Sequence, residues 1–546
     1  MSDKKSRFSL ILYGLILVYT IILLAYTWQR PAGQDEYNFL RNVLNFYVYR
    51  TIIPFYLNYP SFFSYLIFLP VFLAYLVSYV CHGLPLKFLS DPYLFDFLFQ
   101  AETNYWIWTV RGISMLAAGG SLWIWGQFLR ERVHALITFF ILGILIVDPY
   151  SVYLRHAGAA LPDMFLVLLI STIVMFCLAY LRRPDLTLLG RVSFLSGIAV
   201  MTKLNAVFIL GPLLSTLILA NRHRDGRAWR RCLLGLGGGL LIGSPALLIR
   251  PDLYAPFFFF EANLLLRSSQ AFSDAQSTNI LQLAWQANPW LTVCLLGGII
   301  YALIRRRTED IVILSLVIPA LTVLSLLEKN IFQYYLFLYP FILFLFGRGC
   351  NDLLSCWRTQ TGRFVTGVLI LTLFAYFLFD FSRRMSVAIK PDNRTTAKHW
   401  ITANIPSGAI FLVDAGYLPD IGVLEGMGVL LQNYHRDSPV PSFVRKIERR
   451  QPNYFFIKTS SIEDPVSGPL ASRAEYFVTT DYNYRRYLTD KPVGWMLSFH
   501  DPQAEQTYLQ QQAFYRDLLN AQLPFRLIRT FDAGQGPAVL IFQRVI

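Results

Sequence analysis

SLILYGLILVYTIILLAYTW, residues 9–28, is an almost unbroken apolar run, and it is followed at once by a polar stretch containing Asp35 and Glu36. About 20 such residues in a helix cross a roughly 30 Å hydrocarbon core. Lys4, Lys5 and Arg7 precede the run, so the N-terminus is expected on the cytoplasmic side. Asp35-Glu36 then emerge on the far face, beside the membrane. The run is too long for a signal-peptide core and has no small-residue cleavage site after it, so it is kept as a helix.

The same pattern recurs along the chain. Its 546 residues are 55% hydrophobic, above the roughly 45–50% of soluble proteins, and the excess is gathered into long runs. The chain is therefore read as a polytopic helical membrane protein. The net charge of +14 could suggest nucleic acid, but the basic residues cluster in short loops between apolar runs. That is the positive-inside pattern, and it argues against a nucleic-acid partner. None of the six cysteines lies after Cys356, and no Cys/His cluster has zinc-site spacing.

Basic loops serve as the compass for topology. Lys4–Arg7, Arg130–Arg132, Arg182–Arg191, Arg222–Arg231, Arg305–Arg307 and Arg348–Arg363 all read as cytoplasmic. The spans between them then number eleven, starting near Ser9, Trp108, Ala135, Asp163, Val192, Asn205, Cys232, Trp290, Ile311, Tyr334 and Phe364. An odd count puts the C-terminus outside. Ser61–Val80 is apolar enough to span, but a span there would reverse every later basic loop. It is expected to lie along or dip into the outer face, broken near Pro70. The alternative is an ordinary span partnered by another helix between Pro85 and Trp106. Gly235–Gly239 (GLGGG) superficially resembles a phosphate loop, but it sits inside an apolar run without a Gly-Lys-Ser/Thr ending, so close helix packing explains it better.

After Phe381 the composition turns polar. Ala409–Asp414, Tyr454–Lys458, Glu475–Thr479 and Ala538–Gln543 read as short buried strands, and Asn393–Asn404 as a helix. The fold class is thus a membrane domain over 1–380, with an outer catalytic loop over 29–107, and a soluble α/β domain over 381–546 on the side of Asp35.

This topology sends polar residues to one side. They are Asp35, Glu36, Arg155, His156, Asp163, Lys203, Arg250, Glu261, Arg267, Gln333 and Tyr334. Ionisable groups near a bilayer are costly, about 2.5–3.5 kcal/mol at a helix centre, and are functional candidates for that reason. A carboxylate can take a proton from an acceptor hydroxyl. Lysine and arginine can hold a phosphate and stabilise the charge it gains on leaving. Two carboxylates from different loops, here Asp35 and Asp163, also offer oxygen ligands for a divalent cation. His156 reads first as a hydrogen-bond partner. A transporter or envelope assembly factor with an outer binding domain is the alternative. It would call for charged or interrupted helices near the midplane, and the charges here sit at helix ends.

Five motifs in order resemble those of the GT-C superfamily of polytopic glycosyltransferases, nearest the branch of protein O-mannosyltransferases and lipid A aminoarabinose transferases. They are Gln34-Asp35-Glu36-Tyr37, Asn58-Tyr59-Pro60-Ser61-Phe62, Arg111-Gly112-Ile113-Ser114, Arg155–Phe165 (RHAGAALPDMF) and Gly197–Lys203 (GIAVMTK). The resemblance covers about the first 380 residues. It implies an inverting transferase that moves a sugar from a polyprenyl-phosphate donor to a hydroxyl of a protein, glycan or lipid. It implies Asp35 as general base with Glu36 in support, Asp163 positioning the acceptor or a metal, and Lys203 on the donor phosphate. Arg250 joins Lys203 by topology alone. Asn58, Tyr59, Arg155, His156, Arg267, Gln333 and Tyr334 are the substrate-contact candidates. Asn58 stands where the aminoarabinose transferases carry Glu, and Gln333 where an Arg is common. The short N-terminus and the cysteine-free outer domain point to a bacterial inner membrane.

Overall fold

The fold was analysed in a computed structural model. It describes all residues except 1, 29–33, 55–59, 102, 148–151, 221–224, 255–284, 286–288, 326–331, 357–359, 389, 414–438, 441, 443–445, 447–453, 459–472, 489–501 and 546.

The membrane part is all helix. In chain order come α1 (Ser2–Trp28), α2 (Gln34–Val48), α3 (Phe62–Cys81), α4 (Pro92–Ala101), α5 (Thr103–Arg130), α6 (Ala135–Val147), α7 (Val152–Ala157) and α8 (Asp163–Arg182). Then come α9 (Leu186–Thr202), α10 (Leu210–Leu219), α11 (Gly226–Gly243), α12 (Pro245–Ile249), α13 (Pro289–Arg305), α14 (Thr308–Ser325), α15 (Tyr339–Cys356) and α16 (Gln360–Ala388). Among the described residues six helices are long and apolar enough to cross a membrane, and shorter apolar helices accompany them.

The basic loops meet at one end of this bundle. Glu309, at the start of α14, lies 3.5 Å from Arg132, 2.9 Å from Arg182 and 3.0 Å from Arg348, which also reaches Asp310 at 2.9 Å. Asp352 holds Arg305 and Arg307 at 3.0 and 2.7 Å. Loops assigned to one side by charge are therefore on one side in space. Asp163, Lys203 and Glu36 lie at the opposite ends of their helices.

Two apolar cores follow from this polarity. The larger fills the bundle and includes Leu12, Trp125, Ile141, Ile170, Val317 and Leu343. A second, smaller core lies at the end away from the basic loops. It joins Phe39 and Val43 of α2, Phe63, Ile67, Val71, Tyr75 and Tyr79 of α3, Leu94 and Leu98 of α4, and Trp106 and Val110 of α5. All the buried apolar residues of α3 belong to this second core, and α3 is one of the six helices long and apolar enough to cross a membrane. The expected break at Pro70 does not occur: α3 runs through it as one helix. Pro70 stands in the third turn, and the side chains one turn on either side stay anchored in the second core, so tertiary packing holds the helix together across the missing hydrogen bond.

Glycine allows a close crossing of α9 and α11. A Cβ on Gly239 would lie 2.1 Å from the Phe194 carbonyl oxygen, and one on Gly197 would lie 2.5 Å from that of Leu236. The GLGGG run is thus the packing face of α11 against α9. Gly239→Ala is expected to destabilise the protein by about 1–3 kcal/mol through overpacking. Gly237→Ala meets nothing within 4 Å and should be neutral, or stabilising by up to about 1 kcal/mol from helix propensity. Thermal unfolding of the two variants in detergent checks the contrast.

The C-terminal part is a five-stranded sheet between helices. Its elements are α17 (Asn393–Asn404), β1 (Ile410–Val413), β2 (Phe455–Lys458), β3 (Tyr476–Thr480), α18 (Asp481–Leu488), α19 (Pro502–Leu519), β4 (Phe525–Phe531) and β5 (Val539–Arg544). The strand order is β2-β1-β3-β5-β4, with β2, β1 and β3 parallel and β5 and β4 antiparallel. Side chains alternate between two faces. Phe411, Val413, Val478 and Ile541 pack with Ala397 and Ile401 of α17, while Leu412, Phe477, Leu540 and Phe542 pack with Phe514 and Leu518 of α19. β4 was not anticipated. As an edge strand its Arg526 and Arg529 face outward and interrupt the apolar run that marks its neighbours. α16 continues past residue 381 to Ala388 before this part begins. Val440, from the C-terminal part, is fully buried and belongs to the second core.

Candidate functional site

The motifs singled out in the sequence converge on two adjoining polar clusters at the end opposite the basic loops. The first is built on Glu36, in the first turn of α2 and 3% exposed. Its Oε1 accepts from Arg111 Nε at 2.9 Å and from the Ala160 backbone N–H at 2.7 Å, and its Oε2 accepts from Arg111 Nη2 at 3.1 Å. This two-pronged contact uses the planar fork of the guanidinium. Ser114, one turn along α5 from Arg111, donates to the Leu161 carbonyl at 3.1 Å. Three of the five motifs are thereby tied together. Glu36 thus links α2, α5 and the 157–162 segment.

The second cluster centres on Asp163. Pro162 precedes it, and Asp163 opens α8, where the helix N-terminus favours a negative charge. Its Oδ1 accepts from Lys203 Nζ at 2.7 Å, and its Oδ2 lies 3.6 Å from His156 Nδ1. Lys203 owes its position to a break in the chain: α9 ends at Thr202, Lys203 is extended (φ −160°, ψ 132°), and a 3-10 turn follows over Leu204–Ile209. Its ammonium also sits 5.5 Å from the centre of the Tyr334 ring, and Asn205 donates to the Tyr334 carbonyl at 3.2 Å. An ammonium has three donors, and the carboxylate at 2.7 Å takes one of them.

The candidates named from the sequence divide plainly. Asp163, Lys203, His156 and Tyr334 come together, and Glu36 is fixed close by along the 157–163 segment. Asp35 is in the first turn of α2, next to Glu36, and its side chain lies outside the described residues, as do those of Arg155 and Gln333. Asn58, Tyr59, Glu261, Arg267 and the Phe257–Phe260 run lie outside the described residues altogether. Arg250 is not joined to Lys203 by any described contact. It is exposed at the end of α12 and paired with Asp252 at 2.7 Å, whose carboxyl is held below the ordinary carboxylate range by those hydrogen bonds. Among the described residues no three His, Cys, Asp or Glu side chains are grouped to hold a metal ion. Of the two carboxylates offered as metal ligands, Asp163 is paired with Lys203 at 2.7 Å and the side chain of Asp35 lies outside the described residues.

Two features were not named as site residues. Arg111 is a charge inside an otherwise apolar helix, which is itself a signal. Ser61, Ser244 and Tyr254 form a buried hydroxyl cluster between the start of α3 and the end of α11. Single hydroxyl residues carry no comparable signal in the sequence.

No protein-family model and no curated protein sequence matches the chain. Among solved structures it is similar to ArnT from Cupriavidus metallidurans bound to undecaprenyl phosphate, at 14% identity and a TM-score of 0.48 over 98% of each chain. It is similar to the apo oligosaccharyltransferase of Archaeoglobus fulgidus at 11% identity and a TM-score of 0.49, over 89% of this chain and 72% of that one. It is also similar to the archaeal oligosaccharyltransferase AglB from Archaeoglobus fulgidus in complex with an inhibitory peptide and a dolichol-phosphate, at 9% identity and a TM-score of 0.47, over 98% and 88%.

Proposed function

We propose that the protein is an inverting glycosyltransferase that moves a sugar from a polyprenyl-phosphate donor to a hydroxyl acceptor. The observation that carries this reading is the convergence of separate motifs on a buried carboxylate–lysine pair at one end of a membrane-type bundle. A lipid-borne phosphate would reach Lys203 from the side and a water-borne acceptor would enter from above.

The chemistry is a single displacement. The acceptor oxygen forms a bond to the anomeric carbon of the sugar as the bond from that carbon to the phosphate oxygen breaks. The electron pair leaves with the polyprenyl phosphate, and Lys203 steadies the growing charge. The acceptor's proton passes to Asp35, which α2 holds beside the anchored Glu36. Asp163 keeps the Lys203 ammonium charged and aimed. The acceptor and its sugar are set by the C-terminal part and the outer loops, at the outer face of a bacterial inner membrane.

The test is transfer of label from a radiolabelled polyprenyl-phosphate sugar by purified protein, run beside Asp35→Asn. Activity should fall about a hundredfold or more with loss of the base, while the thermal unfolding profile stays unchanged. Undiminished turnover in Asp35→Asn would remove that residue from the mechanism. No turnover by the wild type with any of several donors would move the reading to a binding role for the outer domain.

A further inference from the structure

A cleft of ≈ 590 Å³ opens between α8, α9 and α11. Its walls include Phe176, Phe194 and Leu234, and at Gly190, also in its lining, a Cβ would meet nothing within 4 Å. Arg191 and Arg231 stand at the cleft. It opens near the ends of these helices that face the basic loops, since Arg182 closes α8, Leu186 opens α9 and Gly226 opens α11.

Several arginines at that end are already paired. Arg132, Arg182 and Arg348 share Glu309, and Arg305 and Arg307 share Asp352. Arg191 and Arg231 are exposed, and no described residue forms an ion pair or hydrogen bond with either guanidinium. Asp185 is near enough to Arg191 to interact electrostatically. Its two oxygens are already used by the cap of α9, accepting from the Thr187 and Leu188 N–H groups at 2.9 and 3.2 Å. Asp225 caps α11 in the same way, accepting from Arg227 N at 2.9 Å. Two guanidinium groups without an ion pair or hydrogen bond among the described residues therefore border an apolar slot on the flank of the bundle, where Leu234 is 62% exposed.

An apolar slot with paired cations at its mouth matches one kind of molecule: a chain-bearing lipid with an anionic phosphodiester headgroup. We propose that this cleft is a binding site for an anionic two-chain phospholipid, distinct from the Asp163–Lys203 site and at the other end of the bundle. An acyl chain lies along Phe194 and Leu234, and Arg191 and Arg231 bracket the phosphate, each offering a planar fork of donors. Basic pockets between membrane helices take anionic headgroups for this reason.

The test uses native mass spectrometry of the full chain, titrated with phosphatidylglycerol or phosphatidylcholine of the same acyl composition. The wild type should retain phosphatidylglycerol preferentially. The double variant Arg191→Gln/Arg231→Gln should bind it roughly 30-fold more weakly, the factor expected for two headgroup-facing arginines, with phosphatidylcholine binding unchanged. Arg306→Gln, which removes one positive charge at the same end away from the cleft, should behave as wild type. Equal retention of the two lipids by the wild type, or equal loss in Arg306→Gln, would overturn the site in favour of a diffuse surface charge effect. If the double variant unfolds, Phe194→Trp, which fills the slot and keeps both charges, must weaken phosphatidylglycerol binding, and unchanged binding there overturns the proposal.

Discussion

Glu36→Ala is expected to destabilise the membrane domain by about 3–5 kcal/mol, the cost of leaving a buried ion with its partner removed. Arg111 is 2% exposed, so its guanidinium cannot recover in water what it loses from Glu36. The Ala160 N–H loses its acceptor at the same time. Glu36→Gln keeps the shape and one acceptor oxygen and should cost less. Thermal unfolding in detergent orders the three proteins as wild type, Glu36→Gln, Glu36→Ala. A Glu36→Ala protein as stable as wild type would mean that Arg111 has another way to be satisfied, and that the first cluster is not the anchor of α2.

The second large effect belongs to Lys203. Lys203→Met leaves Asp163, 4% exposed, with its ammonium partner removed and, among the described residues, only the His156 ring nearby at 3.6 Å, and should also cost about 3–5 kcal/mol. Removing both charges, as Asp163→Leu/Lys203→Met, should restore most of that stability, because well-packed apolar residues often replace a buried pair without loss. Transfer activity should not return with it. The pair thus separates two roles that a single substitution confounds: stability follows the match between the partners, and activity follows the ammonium itself. Recovery of both in the double variant would remove Lys203 from the donor site.

The reach of the sequence can be traced through the same residues. Arginines between apolar runs pay their desolvation least at one membrane face, so Arg132, Arg182 and Arg348 marked the orientation of the helices from charge alone, and all three meet at Glu309. The strands at Ile410, Phe455, Tyr476 and Val539 were legible because buried strands read as continuous apolar runs. β4 was hidden because an edge strand shows water one face. Asp163 and Lys203 could be named as candidates from position, but their 2.7 Å contact spans 40 residues and depends on how α9 breaks at Lys203, which no local pattern announces. The contacts of Glu36 with Arg111 and Ala160 span 75 and 124 residues, which no local pattern announces either. Pro70 was read as a break when packing on α2 and α5 holds the helix through it.

Val440 gives the C-terminal part a standing that its sequence does not declare. A module on a bare tether wanders through the volume its linker allows. Here one of its side chains is sunk in the second core, which also holds Phe39 and Val43, and pulling a fully buried valine into water costs roughly 1.5–3 kcal/mol. That difference holds the module seated about ten to a hundred times more often than adrift. Cutting the chain after Ala388 would therefore do more than shed the sheet. It would leave a socket open in the core that carries the helix beginning at Gln34 and Asp35.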